Sequence, residues 1–246
     1  MPTWAIRFDL KRHKDPGPRP FVGTHNAHDG HFMKCSTLSS KGGPDVLSVR
    51  GVYADRVARR TNCMPSLFKN NIGQLLREAL EVIHPDKQSK DTWTPDFTEK
   101  FSTTLMAGMN YIGQPAGPQE ADDFLIFMKY MSRHRKSPPP APYAEMDQYE
   151  KNQQQVLRAF HAIAVACSKR RFFVTTDGRF GIGPGGLADD DLIVVLYGGT
   201  TPFALRRVAK ERYRYVGACY VLGMMGGEVM RKHKAERSRD YVFHIE

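Results

Sequence analysis

The chain has 246 residues, 41% hydrophobic and 25% charged, with a formal net charge of +10. That composition suits a folded protein with a real core, in one large domain or two small ones, and no run reaches the roughly 18 uncharged apolar residues that a membrane-spanning helix needs. The basic excess is compatible with nucleic acid or an anionic surface as partner. Its clusters at 129–136, 206–214 and 231–239 carry no recognition-helix, RNP or zinc-finger spacing, however, and the plainer reading is solvated surface. The N-terminus MPTWAIRFDLKRHK is too mixed in charge for a secretory signal. Cys35, Cys63, Cys167 and Cys219 form no C-x-x-C pair, which implies free thiols in a reducing compartment, the cytoplasm.

In chain order, Pro16, Pro18 and Pro20 and the polar stretch 23–31 read as loop. DVLSVRGVYADRVARR alternates. Leu47, Val49, Gly51 and Tyr53 fall on one side, with Ser48, Arg50, Val52 and Ala54 on the other, so a strand bulged at Gly51 and running past Asp55 is expected. Ile72, Leu75, Leu76, Ala79, Leu80 and Ile83 recur at helical spacing, and Pro85 stops that helix. Asp96 with Glu99 suggests a capping box for a second helix, striped by Phe97, Phe101, Leu105 and Met109. A third helix starts near Glu120 and buries Phe124, Phe127, Met128 and Met131. Pro138, Pro139, Pro140 and Pro142 make a stiff exposed loop. A fourth helix, about Tyr149 to Ser168, presents Val156, Phe160, Ile163, Ala164 and Cys167.

After Arg170 the texture changes to short strands. RRFFVTTDG ends in an Asp-Gly turn, and RFGIG, DLIVVLYGG, FALRRVA and RYRYVGACYVLG follow. The expected architecture is α+β: a small antiparallel β-barrel or sandwich with an inserted helical middle. Residues 1–57 supply an N-terminal loop and a strand to the β-module, and 58–169 form the helical middle, with its proline-rich loop at 137–142. Residues 170–230 form the C-terminal β-module, and 231–246 a basic tail.

The stretch GIGPGG, residues 181–186, fits the G-x-G-x-x-G pattern of a phosphate-cradling loop. Such a loop needs a helix after it, to offer free N–H groups and a positive dipole end. LADDDLIVVLYGG follows instead, rich in β-branched residues. Asp189, Asp190 and Asp191 would repel an anion, and Pro184 lacks an N–H. The stretch is therefore expected to be a glycine-rich bend between two strands, its glycines supplying positive φ or room for close approach.

The whole block from RRFFVTTDGRFGIGPGG through RYRYVGACYVLGMMGGEVM resembles the region that follows the HET domain in fungal heterokaryon incompatibility (HET) domain-containing proteins. The matching positions are Gly181, Gly183, Pro184, Asp191, Gly198, Pro202, Arg206, Tyr213, Val216, Gly217, Cys219, Tyr220, Val221, Gly227 and Glu228. PTWAIRFDL and LSVRGVYADRV resemble the family's opening segment and its Leu-x-Gly-x-x-x-Asp-x-Val strand, although Phe8 stands for a Trp, Ile6-Arg7 for Pro-Asp, and Asp190 for a Gly. The resemblance implies fungal nonself recognition and programmed cell death. No segment resembles the HET domain itself, so the chain is expected to be a short member, a truncated gene model or a separate accessory piece.

Other constellations leave alternatives open. His25, His28, His31 and Cys35 are metal-ligand types in one polar loop, which reads as a metal site or a solvated loop. Cys219 and Cys167 read as buried thiols, with catalysis beside His161 or His84 as the alternative. Asp189 to Asp191 read as a turn or as a metal-binding cluster. Tyr213 and Tyr215 are expected inward, with Arg212 and Arg214 outward. The functional expectation is a non-enzymatic accessory or interaction region with a protein partner, such as an effector domain or another incompatibility protein. Neither cofactor nor metal is expected, and Asp191, Tyr213 and Glu228 are given structural roles. The alternatives are a piece of a larger NAD-consuming or hydrolytic effector, and a nucleic-acid-binding module.

Overall fold

A computed structural model describes residues 25–31, 35–38, 46–64, 72–85, 93–133 and 151–246, with the backbone alone at 35–38, 133 and 151–152. The PTWAIRFDL segment, the prolines at 16, 18 and 20, and the proline-rich 137–142 lie outside these residues.

Among the described residues the sheet has nine strands. These are β1 (Cys35–Leu38), β2 (Val46–Arg60), β3 (Arg170–Thr175), β4 (Phe180–Pro184), β5 (Leu192–Leu196), β6 (Phe203–Ala209), β7 (Arg212–Ala218), β8 (Tyr220–Val221) and β9 (Tyr241–Ile245). The helices are α1 (Ile72–Ile83), α2 (Pro95–Leu105), α3 (Pro118–Arg133), α4 (Lys151–Cys167) and α5 (Glu228–Ala235). The class is α+β. The strand order is β5-β6-β7-β9-β2-β3-β4-β8, with β1 on β2 and a further β5–β2 pairing. That extra pairing closes a circuit through β2, β5, β6, β7 and β9.

The expectation of a purely antiparallel module does not hold. β7 and β9 run parallel, with Arg212 beside His244 and Tyr213 beside Ile245, so the sheet is mixed. Residues 231–246, expected as a basic tail, fold into most of α5 and all of β9. RYRYVGACYVLG splits into β7 and β8 at Cys219: Gly217, at φ 152, and Ala218 still pair with Ala204 and Phe203 of β6, whereas Tyr220 pairs with Ile182 of β4.

β2 is the strand expected from the alternation, but its bulges differ. They fall between Tyr53 and Asp55 and between Val57 and Arg59. Gly51 stays in register with both Leu196 and Tyr241, where an added Cβ would lie 2.5 Å from the Val195 carbonyl oxygen.

Helices α1 to α4 cover one face of β3 and β4. Phe101, Phe124, Phe127, Phe172, Ile163 and Leu75 are fully buried there, and Phe101 meets Phe124 and Phe172 edge-on with ring centroids 5.8 Å apart in each case. Pleating sends Phe173 to the opposite face of β3, where it packs with Val57, Leu187, Ile193 and Cys219. RRFFVT is thus buried on both sides, which explains its paired phenylalanines. α2 starts earlier than expected. Thr94 caps it through the Phe97 N–H at 3.2 Å, and Pro95 takes the first turn, where its missing N–H costs nothing. The helix ends at Leu105, and Met109 lies past it, beyond a turn at Ala107 and Gly108 with positive φ.

Gly181 lies inside β4. A Cβ there would approach the Phe173 ring to 2.4 Å and the Tyr220 carbonyl oxygen to 2.8 Å. Gly186 has nothing nearer than 3.9 Å. Gly181→Ala is expected to destabilise by about 2–3 kcal/mol and Gly186→Ala to stay within about 0.5 kcal/mol of the parent, as read by chemical denaturation.

Candidate functional site

GIGPGG is strand for its first four residues and turn for the last two, so the expected bend covers only Gly185 and Gly186. None of its glycines has positive φ; what they supply is room. A Cβ on Gly183 would meet Leu187 at 2.9 Å, and one on Gly185 would meet the Cys63 sulfur at 2.7 Å and the Lys169 carbonyl oxygen at 2.9 Å. The turn directs carbonyls, not N–H groups, at its charged neighbours. Arg171 Nε donates to Gly185 O and Arg206 Nη2 to Gly186 O, both at 2.7 Å. This is the reverse of what an anion needs.

Asp191 is 2% exposed. Its carboxylate accepts from Arg206 Nε and Nη2, both at 2.8 Å, and from the Ala188 N–H at 2.7 Å. The bond to Asp191 is the main reason the Arg206 guanidinium is raised above its ordinary pKa. The neighbouring aspartates diverge. Asp190 lies 3.5 Å from Arg56 and Asp189 3.5 Å from Arg60. Each of the three carboxylates therefore meets a different arginine, and none shares a centre with the next.

The remaining motif residues join the same framework. Pro184 packs on Gly217, where a Cβ would lie 3.0 Å from the Pro184 ring. Cys219 is fully buried, its N–H donates to Pro202 O at 2.9 Å, and burial raises its thiol pKa. Tyr220 is buried beside Gly108, and burial raises its phenol pKa too. Tyr213 stacks edge-on to Phe243 at 5.4 Å. Gly198, at φ 84, donates to His31 O at 2.8 Å. Gly227, at φ 86, precedes α5, and Glu228 accepts from the Gly226 N–H at 2.8 Å.

Of the other constellations, Cys167 donates to Leu105 O at 3.1 Å, and burial pushes its thiol up to about 12, far from the thiolate a nucleophile needs. His25 is edge-on to Tyr220 at 6.3 Å, whereas His31 stacks on Tyr197 at 4.9 Å. The Cys35 side chain lies outside the described residues. Tyr213 and Tyr215 do turn inward, with Arg212 and Arg214 exposed.

Two clefts flank α5 and the turn into β9; several of their residues, among them His31, Arg50, Tyr53 and Glu228, are named from the sequence, but the sequence does not show that they share a cleft. One, of about 350 Å³, is lined by Tyr53, Arg179, Glu228, Lys232, Arg239 and Tyr241 among others. The second, of about 610 Å³, is lined by Gly30, His31, Arg50, Tyr197, His233, Lys234, Arg237, Ser238 and Asp240. Asp240 organises the second. It accepts from Tyr197 Oη at 2.6 Å and lies 3.0 Å from His233 Nε2. The Tyr197 bond, with help from His233 and Arg50, holds its carboxyl below the ordinary value of 3.8 although burial opposes this. Burial and then Asp240 push the Tyr197 phenol up to about 12, so it remains a donor at neutral pH. The signal for this region was present in GGEVMRKHKAERSRD: an acid in the first helical turn and Lys232, His233 and Lys234 in the last complement the helix dipole.

Arg206→Ala is expected to cost about 3 kcal/mol, because it leaves a buried carboxylate unpaired. Arg206→Lys should recover only part, since an ammonium cannot make both bonds to Asp191 and reach Gly186 O; equilibrium denaturation measures both. For Asp240 a lowered folded pKa means stability that is complete above the unfolded value and lost as pH falls through the folded one. Asp240→Asn should therefore destabilise by about 1 kcal/mol at pH 7, after allowance for its partial exposure. The gap should close below pH 4, as read from thermal midpoints across pH.

No curated protein and no solved structure matches the chain. Residues 129–243 match the family model of the Het-6 beta-barrel domain. No match to the HET domain itself is found. The matched span contains the glycine-rich block, the Asp191–Arg206 pair, α5 and the first three residues of β9, and over it the chain is similar to a heterokaryon-incompatibility-associated domain.

Proposed function

We propose that this protein is a non-enzymatic interaction region of the heterokaryon incompatibility system, serving fungal nonself recognition and cell death by engaging another protein. The closed circuit of β2, β5, β6, β7 and β9 is then the small barrel that the domain's name describes.

One observation carries the reading. The motif's buried chemically capable side chains are consumed in holding the fold. Asp191 and Arg206 tie the loop after β4, and Cys219 is a buried thiol whose proton burial retains. A catalytic constellation would instead leave such groups facing a cleft. On the helical side Trp93, Tyr111 and Ile112 are 44%, 46% and 59% exposed, chemistry that favours a protein partner over a nucleic acid. We read the site of action as cytoplasmic. Among the described residues no helix is long and apolar enough to cross a membrane.

Expression in a fungal host, with and without the genomic sequence upstream, tests the proposal. The chain by itself should leave growth unchanged, and growth arrest should require an effector supplied in cis or in trans. Arrest by this chain alone, abolished by substituting a cleft residue such as His233→Ala while the protein stays folded, would show an effector activity and end the accessory reading.

A further inference from the structure

We propose that the cleft between β2, the end of α5 and the turn into β9 is a binding site for the phosphoryl group of a small phosphorylated molecule. Three cations reach it from three places: Arg50, an exposed side chain of β2, Lys234 from the last turn of α5, and Arg237 from the turn that follows. Among the described residues the ion pairs of this corner are Arg231 with Asp29, Lys232 with Glu236 and His233 with Asp240. Arg50, Lys234 and Arg237 take part in none of them. The carboxylate in the wall, Asp240, feels the Arg50 charge while bonding to Tyr197 and His233, and its single negative charge offsets at most one of the three cations. The cleft thus holds a surplus of positive charge together with the Ser238 hydroxyl.

The helix dipole accounts for a cation at Lys234. It does not account for Arg50, which stands on a strand opposite Val242. Nor does it account for the backbone at Arg237, which has φ 49 at the position after the helix end that glycine ordinarily fills. The Arg237 N–H bonds to Lys234 O and the Ser238 N–H to His233 O, both at 3.3 Å, which fixes the turn in the conformation that keeps Arg237 on the cleft wall. Like charges gathered on a concave surface repel one another and concentrate an anion. A guanidinium fork matches phosphate oxygens two at a time, and two arginines beside a lysine suit a group of charge near −2. A volume of about 610 Å³ fits a small molecule, whereas a nucleic acid would need a basic stripe that follows its backbone.

Sodium pyrophosphate is the probe, titrated calorimetrically into the full chain at low ionic strength, with amide shifts followed by NMR. Saturable one-to-one binding is expected, with shifts at Gly30, Tyr197 and Ser238. The double variant Arg50→Gln/Arg237→Gln should weaken it at least tenfold. Arg207→Gln/Arg214→Gln removes the same charge from the exposed β6–β7 ribbon and should leave it within about twofold, the small residue expected of screened distant charges. Thermal midpoints of both variants near that of the parent verify folding. Absence of saturable binding, or equal weakening by the two double variants, would overturn the proposal.

Discussion

A buried strand must find partners for every N–H and C=O along both edges. β2, at 15 residues, faces that requirement over its whole length. It meets it with chain drawn from both ends of the sequence: β1 and then β5 along one edge, β9 and then β3 along the other. The strand passes through three apolar clusters as it goes. Val49 packs with Val194 and Phe243, Val52 with Val195 and Met230, and Val57 with Phe173 and Ile193. A straight ladder cannot serve three cores, so β2 bulges at two points, and a bulge adds local twist. Asp55 sits at the first bulge, 2% exposed. Its oxygens accept from Thr176 Oγ1 at 2.5 Å, from the Arg56 N–H at 2.7 Å and from Arg179 at 3.4 Å. The bulge would otherwise bury unpaired polar groups; the carboxylate and its donors close that gap.

The same logic governs the loop between β4 and β5. Three adjacent aspartates in a chain of net charge +10 invite a metal or anion argument, yet geometry spreads them onto Arg56, Arg60 and Arg206. Two of those pairs are exposed and worth little. The third is buried on the carboxylate side and adds a second hold through Gly186 O, so one arginine fixes both ends of the loop. Arg171 does the equivalent for Gly185 while also donating to Thr61 O at 2.7 Å, which ties the loop to the end of β2. Gly185 permits this by letting the backbone lie against Cys63 and Lys169.

What was legible in the sequence follows from range. α1 and α4 show in their spacing, because a helix's buried stripe is set by residues three and four apart, and the residues expected in both stripes are the buried ones, with Leu80 and Ile83 half-buried at the rim. β3 and β5 show as short apolar runs. The cap of α2 was misplaced because Asp96 and Glu99 match a capping box as letters, while Pro95 favours the first turn and hands the cap to Thr94. α5 was hidden because it buries only Met230, leaving a charged run that looks like a tail. The parallel placement of β9 beside β7 leaves no local trace, since the pattern of YVFHI is the same whichever neighbour it joins. The cleft leaves no local trace for a related reason: Arg50, Tyr197 and Asp240 are far apart in sequence and meet only because β2, β5 and β9 do.

That dependence has a direction. β9 lies between β7 and β2, and its pairings with them complete the circuit that the β5–β2 contact begins. Contacts between residues 47–51 and 241–245 join positions far apart in the 246-residue chain, so their loop-closure cost is offset only once the intervening strands are in place. Asp240 is the residue before β9, and its bonds to Tyr197 at the end of β5 and to His233 on α5 are made only when β9 is docked. The cleft and the closure of the sheet are therefore one event. A molecule that bound Arg50, from β2, and Arg237, from the turn into β9, would bridge the two sides of that closure and stabilise it by mass action.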